Sequence, residues 1–207
     1  MLRRLIRILP CIPLLLVAGL SPSYAHHVND YMLPATAMEG LLSGLGHPVI
    51  GVDHLVFALG AGVLAAHFER GYVLPLVFVV ASSFAALTRY LGADLALGEL
   101  PVAGSLVLLG AMMLAAQTPR EGVVAVLFLA AGTLHGHALA EGIVGAERAP
   151  LVAYLLGLTA IQCVIALGAW RIAIWSAGRH PNLPVRHLAG AAAGIAGLVF
   201  SGLALMG

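Results

Sequence analysis

The sequence contains few charged residues and no lysine. Only 9% of its 207 residues are Asp, Glu, Lys or Arg, whereas a soluble domain carries about a quarter. All ten basic residues are arginine, so a phosphate-binding loop that needs lysine is excluded. A net charge of +1 excludes a basic nucleic-acid surface, and two cysteines exclude a disulfide framework. Because 61% of the residues are apolar, the composition predicts a membrane protein.

Residues 1–25 have the pattern of a secretory signal peptide. Three arginines precede a short apolar stretch that two prolines interrupt, and Ser23-Tyr24-Ala25 supplies the small residues of a cleavage site. The alternative is a first transmembrane helix that is retained. Cleavage after Ala25 places His26 and His27 at an N-terminus outside the cytoplasm.

Residues 26–207 are predicted to form a single all-α domain, a polytopic membrane helix bundle with six transmembrane helices. The spans are expected at about 49–66, 72–91, 100–116, 123–140, 151–175 and 187–206. A short helix is expected before them, from Ala37 to Leu45. The breaks carry the charged and turn-forming residues that are typical of membrane loops.

Arginine placement predicts the orientation. Five arginines lie in the loops and helix ends assigned to the cytoplasm, namely Arg70, Arg120, Arg171, Arg179 and Arg186. The outer segments hold Arg89 and Arg148, and Arg89 either reaches the outer surface or pairs with Asp94 or Glu99. Positive charge concentrates on the cytoplasmic side of membrane proteins. We therefore expect an inner (plasma) membrane protein with both mature termini outside.

The first of two polar clusters runs from His47 to His54. Pro48 suits the first turn of a helix, which would place His47 at the cap. His47 and His54 are then on one helical face, with Asp53 about 100° away from His54. Ionisable groups inside a membrane are costly, about 2.5–3.5 kcal/mol each on the insertion scale, and usually mark a function.

The second cluster runs from His135 to Glu141 in the fourth predicted span. His137 and Glu141 are expected to share a helical face, while His135 lies off that face and Gly136 permits close approach of another helix. Imidazole with carboxylate suits Ni, Co, Zn or Fe. The predicted metal ligands are His47, Asp53, His54, His135, His137 and Glu141, with His26, His27 and Glu147 as candidates for first capture of the ion. The alternative is structural hydrogen bonding.

Other polar residues within the spans leave two interpretations open. Ser82, Ser83, Thr88, Thr159 and Gln162 either line a pathway or form hydrogen bonds with neighbouring helices.

The two clusters carry a resemblance to a known family. G-H-P-V-I-G-V-D-H-L-V-F, from Gly46 to Phe57, resembles the signature of the HupE/UreJ nickel and cobalt permeases. H-G-H-A-L-A-E-G-I-V-G-A-E, from His135 to Glu147, resembles its second conserved stretch, followed by P-L-V-A-Y-L-L-G from Pro150. Many members place another His soon after H-G-x-A, where this chain has Leu139 and Ala140, and this departure bears on the choice of metal.

The resemblance implies secondary uptake of Ni²⁺ or Co²⁺, supplying hydrogenase, urease or cobalamin. Its motif residues correspond to His47, Asp53, His54, His135 and Glu141. No cofactor and no nucleic acid are expected; the partners are the transported ion and the bilayer, and association into a homo-oligomer is left open. One alternative is a membrane-embedded zinc hydrolase, but the sequence contains neither the nucleophile-elbow pattern nor the H-E-x-x-H pattern. The other alternative is a metal sensor or storage scaffold, for which the sequence shows no soluble output domain.

Overall fold

The computed structural model describes residues 33–95 and 98–206, and within them all regular structure is helical. The helices are α1 (Ala37–Ile50), α2 (Val52–Ala65), α3 (Val73–Tyr90), α4 (Glu99–Leu114), α5 (Glu121–Leu139), α6 (Arg148–Arg179) and α7 (Val185–Met206). A 3₁₀ turn, Ala140–Gly142, follows α5. The predicted signal peptide and the candidate ligands His26 and His27 lie outside the described residues.

Length and apolar composition identify four or five of these segments as able to cross a bilayer. Four of them are α3, α5 with its 3₁₀ turn, α6 and α7, and the fifth is the α1–α2 pair, if it is counted as one span. Helix α4 is apolar but has only 16 residues, fewer than the roughly 20 that a straight span needs. The all-α membrane fold is therefore confirmed, whereas the count of six spans stays a prediction.

The first span differs from the predicted one because the helix breaks in a different place. Helix α1 continues through His47 and Pro48 to Ile50, and the chain bends by 75° before α2 begins. Gly51 forms the break, with an extended ψ of 96°. The predictions that α1 ends near Leu45 and that Pro48 opens a helix are therefore wrong. His47 and His54 do not share one helical face, since they belong to two helices.

Glycine allows the helices beside this bend to approach closely. At Gly44 of α1, a Cβ would collide with the backbone carbonyl of Tyr154 in α6. At Gly136 of α5, a Cβ would lie 2.6 Å from the Cα of Ser82 in α3. Close backbone approach through small residues is how membrane helices associate without a hydrophobic driving force. These two contacts press α6 and α3 against the helices that carry the polar clusters.

Contacts made at helix ends define the two ends of the bundle. At one end, the Tyr90 hydroxyl donates to Ala146 O at 2.8 Å, which links the end of α3 to the segment before α6. At the other end, the Arg186 guanidinium donates to Met113 O at 2.9 Å and to Ala115 O at 2.5 Å, which caps the end of α4. We call these the Tyr90 end and the Arg186 end.

Candidate metal-ion site

Three histidines from three helices meet at the bend between α1 and α2. His47 is in the last turn of α1, His54 in the first turn of α2, and His135 near the end of α5. The Nδ1 atoms of His54 and His135 are 2.7 Å apart, and the ring centroids of His47 and His54 are 6.3 Å apart. All three side chains are buried. With Asp53 they form what we call the histidine site.

Asp53 brings a carboxylate to the same place. Its Oδ1 accepts a hydrogen bond from the His54 backbone N–H at 2.9 Å and lies 3.8 Å from His54 Nε2. The side chain is 16% exposed, so it is largely removed from water. The N-terminus of a helix carries partial positive charge, which would repel a cation at the start of α2. The carboxylate in the first turn of α2 offsets that repulsion.

His47 is held by a tyrosine from the neighbouring helix. The His47 Nδ1 atom lies 2.9 Å from the Tyr154 hydroxyl, which donates to Leu139 O at 2.5 Å. Tyr154 reaches this position because Gly44 lets α1 and α6 approach closely. The hydroxyl therefore joins α1, α5 and α6 at the site.

His135 is held on its other side by a serine from α4. The His135 Nε2 atom lies 2.9 Å from Ser105 Oγ, and Ser105 donates to Val102 O at 2.6 Å. The rings of Phe57 and Phe78 pack against the imidazole, with centroids 4.7 and 5.6 Å away. The sequence analysis missed both Ser105 and Tyr154. The sequence did offer a signal for them, because each side chain carries a hydroxyl group in an otherwise apolar stretch.

His137 and Glu141 are not brought into the histidine site. His137 Nε2 lies 3.0 Å from Asp94 Oδ1, in the loop between α3 and α4, and Arg89 Nη1 donates to the His137 carbonyl at 2.7 Å. Helix α5 ends at Leu139, so Glu141 lies in the 3₁₀ turn and is exposed. The predicted shared helical face of His137 and Glu141 is wrong, because the α-helical spacing does not extend to residue 141.

The other candidate ligands are at the periphery or outside the described residues. Glu147 is exposed at the N-cap of α6, at the Tyr90 end. Within residues 33–95 and 98–206, no group of three or more His, Cys, Asp or Glu side chains is already arranged to hold a metal ion. An ion bound by His47, Asp53 and His54 therefore requires their side chains to rotate toward one another.

The polar residues of α3 and α6 form hydrogen bonds between the two helices. Ser83 Oγ and Thr159 Oγ1 are 2.7 Å apart, and Gln162 Nε2 donates to Ser82 Oγ at 3.1 Å. Thr88 donates to the carbonyl of Ala85 at 2.9 Å. Most of these polar side chains therefore form hydrogen bonds between neighbouring helices, which is one of the two interpretations that the sequence left open.

Comparison with known proteins places these features in a family. The profile described as "HupE / UreJ protein" matches residues 14–200. The chain is also similar to a protein of Rhizobium leguminosarum bv. viciae named "Protein HupE", with 26% identity over 180 residues that cover 85% of this chain and 89% of that protein. No solved structure matches. Since the profile spans all of the histidine site and most of the bundle, the chain belongs to the HupE/UreJ family, whose members generally transport nickel and cobalt.

Proposed function

We propose that this protein takes up Ni²⁺ or Co²⁺ across the inner membrane as a secondary transporter, with the histidine site as its intramembrane binding site. The observation that carries the proposal is the helix break at Gly51, which has a histidine on each side of it and Asp53 beside them. Non-helical backbone at membrane depth is tolerated where it lines a site or cavity. Broken helices of this kind form the substrate and ion sites of many transporters.

His47, Asp53 and His54 are the proposed ligands. Neutral imidazole nitrogens are good ligands for Ni²⁺ and Co²⁺, and the carboxylate offsets part of the ion's charge. The site is buried, so the ion must lose most of its water, and these groups replace it. Three ligands leave positions for water, which keeps the affinity moderate enough for release on the other side.

The ion is proposed to approach from the Tyr90 end. Glu141 and Glu147 are exposed there. Gly142, next to Glu141, lies against His47, since a Cβ on it would be 3.4 Å from His47 Cε1. We place Glu141 and Glu147 at the mouth as groups that first attract the ion. His137 is placed outside the binding set, with its partner Asp94.

The direction of uptake follows from arginine placement. Arg70, Arg120, Arg179 and Arg186 lie in loops or helix ends at the Arg186 end, which we assign to the cytoplasm. The Tyr90 end then faces outward, with both mature termini. Because the sequence contains no phosphate-binding loop, the membrane potential, a proton gradient or a partner protein drives the ion inward. The metal taken up would serve hydrogenase, urease or cobalamin.

Radiolabelled Ni²⁺ and Co²⁺ uptake into cells and proteoliposomes tests the proposal. Asp53→Asn and His54→Gln should abolish uptake at limiting metal, because each removes a ligand without changing the size of the side chain greatly. Matched controls are Glu121→Gln and His67→Gln, which change exposed residues outside the site. Both controls should transport as the wild type does.

Two outcomes would contradict the proposal. Uptake that survives both Asp53→Asn and His54→Gln would remove the histidine site from the pathway. Absence of flux under every gradient, together with stoichiometric Zn²⁺ in the purified protein, would favour a membrane-embedded hydrolase.

Glu141→Gln, measured in the same series, should raise the metal concentration needed for half-maximal uptake but leave the maximal rate unchanged.

A further inference from the structure

Two hydroxyl groups beside the histidine site have their single hydrogen already committed. Tyr154 donates to Leu139 O at 2.5 Å, and Ser105 donates to Val102 O at 2.6 Å. A backbone carbonyl carries no hydrogen, so at these separations the hydrogen must come from the hydroxyl. Each hydroxyl oxygen can therefore only accept from the imidazole that contacts it.

This requirement decides which nitrogen of each imidazole is protonated. His47 must donate from Nδ1 to Tyr154, and His135 must donate from Nε2 to Ser105. A neutral imidazole has one N–H, so the Nδ1 atom of His135 is an acceptor. It lies 2.7 Å from the Nδ1 atom of His54, which is then the donor of that hydrogen bond.

We propose that Tyr154 and Ser105, the latter acting through His135, fix the tautomers of His47 and His54 so that both present an Nε2 lone pair to the transported dication. His135 uses both of its ring nitrogens in these contacts, so it is a positioning residue and not a ligand. The inference deepens the proposed function of the histidine site and rests on it. Metal-binding histidines are commonly oriented in this way, by donating their other ring N–H to a carbonyl, carboxylate or hydroxyl.

The geometry around Asp53 agrees with this assignment. His54 Nε2 and Asp53 Oδ1 are 3.8 Å apart, and with His54 in the assigned tautomer both atoms are acceptors. An imidazole nitrogen and a carboxylate oxygen form a ligand pair that suits a divalent ion of the nickel and cobalt type. After a small rotation of the side chains, both atoms can bond the same ion.

Nickel binding to the purified full-length protein in detergent is the first test. Tyr154→Phe and Ser105→Ala should each weaken binding about 10–100-fold, the usual effect of losing a group that orients a ligand. Tyr90→Phe is the matched control, because its hydroxyl also donates to a carbonyl, Ala146 O, but contacts no imidazole. It should leave the dissociation constant unchanged.

A conservative variant at residue 105 separates positioning from packing. Ser105→Thr keeps the hydroxyl and should restore binding that Ser105→Ala loses. Ser105 lines an open groove of about 450 Å³ between α4 and α5, where the added methyl is expected to fit. If Ser105→Thr binds as weakly as Ser105→Ala, or Tyr90→Phe binds as weakly as Tyr154→Phe, the positioning role is refuted.

Nitrogen-15 NMR of the metal-free protein tests the tautomers without relying on transport. His47 and His54 should be protonated on Nδ1, and His135 on Nε2. Tyr154→Phe should change the signals of His47 alone. A His135 protonated on Nδ1 would overturn the assignment. A wild-type protein that shows the assigned tautomers but binds neither nickel nor cobalt would refute the proposed function and leave the tautomer assignment supported.

Discussion

The substitution Gly136→Ala tests whether close packing of α3 against α5 sets the geometry of the histidine site. A Cβ at residue 136 would collide with the carbonyl oxygen of Ser82 and would lie 2.6 Å from both its Cα and its carbonyl carbon. Ordinary contacts begin near 3.4 Å, so the helices must separate by at least ~0.8 Å, because close-packed backbones cannot deform to absorb the difference.

A shift of this size affects His135 directly, since it immediately precedes Gly136 in α5. Its hydrogen bonds to His54 and Ser105 are 2.7 and 2.9 Å long. Neither keeps its length when α5 moves by a large fraction of an ångström, because the donor–acceptor distances of protein hydrogen bonds are usually confined to about 2.7–3.2 Å. Overpacking of a close contact costs about 1–3 kcal/mol. We expect a lower unfolding midpoint in detergent and reduced uptake of Ni²⁺.

Gly168→Ala in α6 is the matched control, because a Cβ there meets nothing within 4 Å. It should keep wild-type uptake, and its unfolding midpoint should stay the same or rise, since alanine favours the helix more than glycine does. The reasoning is refuted if Gly136→Ala and Gly168→Ala have the same midpoint and the same uptake rate.

Three further substitutions have expected outcomes. Gly51→Ala places a Cβ 2.7 Å from the Cδ2 atom of His54, so uptake assays should show a raised metal requirement; an unchanged requirement would show that the ring has room to move. Arg186→Gln removes a guanidinium that caps α4 and should lower the unfolding free energy by about 2 kcal/mol. Nickel affinity should stay unchanged, and a loss of affinity would show that the histidine site depends on contacts at the Arg186 end. Asp94→Asn alters a carboxylate that is 65% exposed beside His137, so chemical denaturation should detect a loss below about 1 kcal/mol; a larger loss would show that the loop between α3 and α4 depends on this pair.

Some features of the fold followed directly from local sequence. The apolar stretches predicted from residues 72–91, 123–140, 151–175 and 187–206 correspond to α3, α5, α6 and α7. Hydrophobic length is a local property, so it can be read without knowing what each helix contacts. The stretch predicted at residues 100–116 likewise corresponds to α4, but that helix has only 16 residues, fewer than a straight span needs.

The bend at Gly51 could not be read from spacing. Periodicity assumes a continuous helix, and under that assumption Pro48 begins the first span and His47 shares a face with His54. The chain instead ends α1 at Ile50 and starts again at Val52 with a 75° bend. A proline three residues before a glycine is compatible with either arrangement. In the folded chain α1 packs closely against α6 at Gly44, a contact that spacing within one helix does not reveal.

The sequence by itself determined that this protein is helical, lies in a membrane and keeps imidazole and carboxylate groups inside it. These conclusions depend on composition and on residue types along one segment at a time. Tertiary structure decided which of those groups meet: His135 contacts His54, whereas His137 contacts Asp94 and Glu141 stays exposed. It also supplied Tyr154 and Ser105, from α6 and α4. The physical reason is that a hydrogen bond between helices depends on their separation and rotation, and neither is set by spacing within one helix.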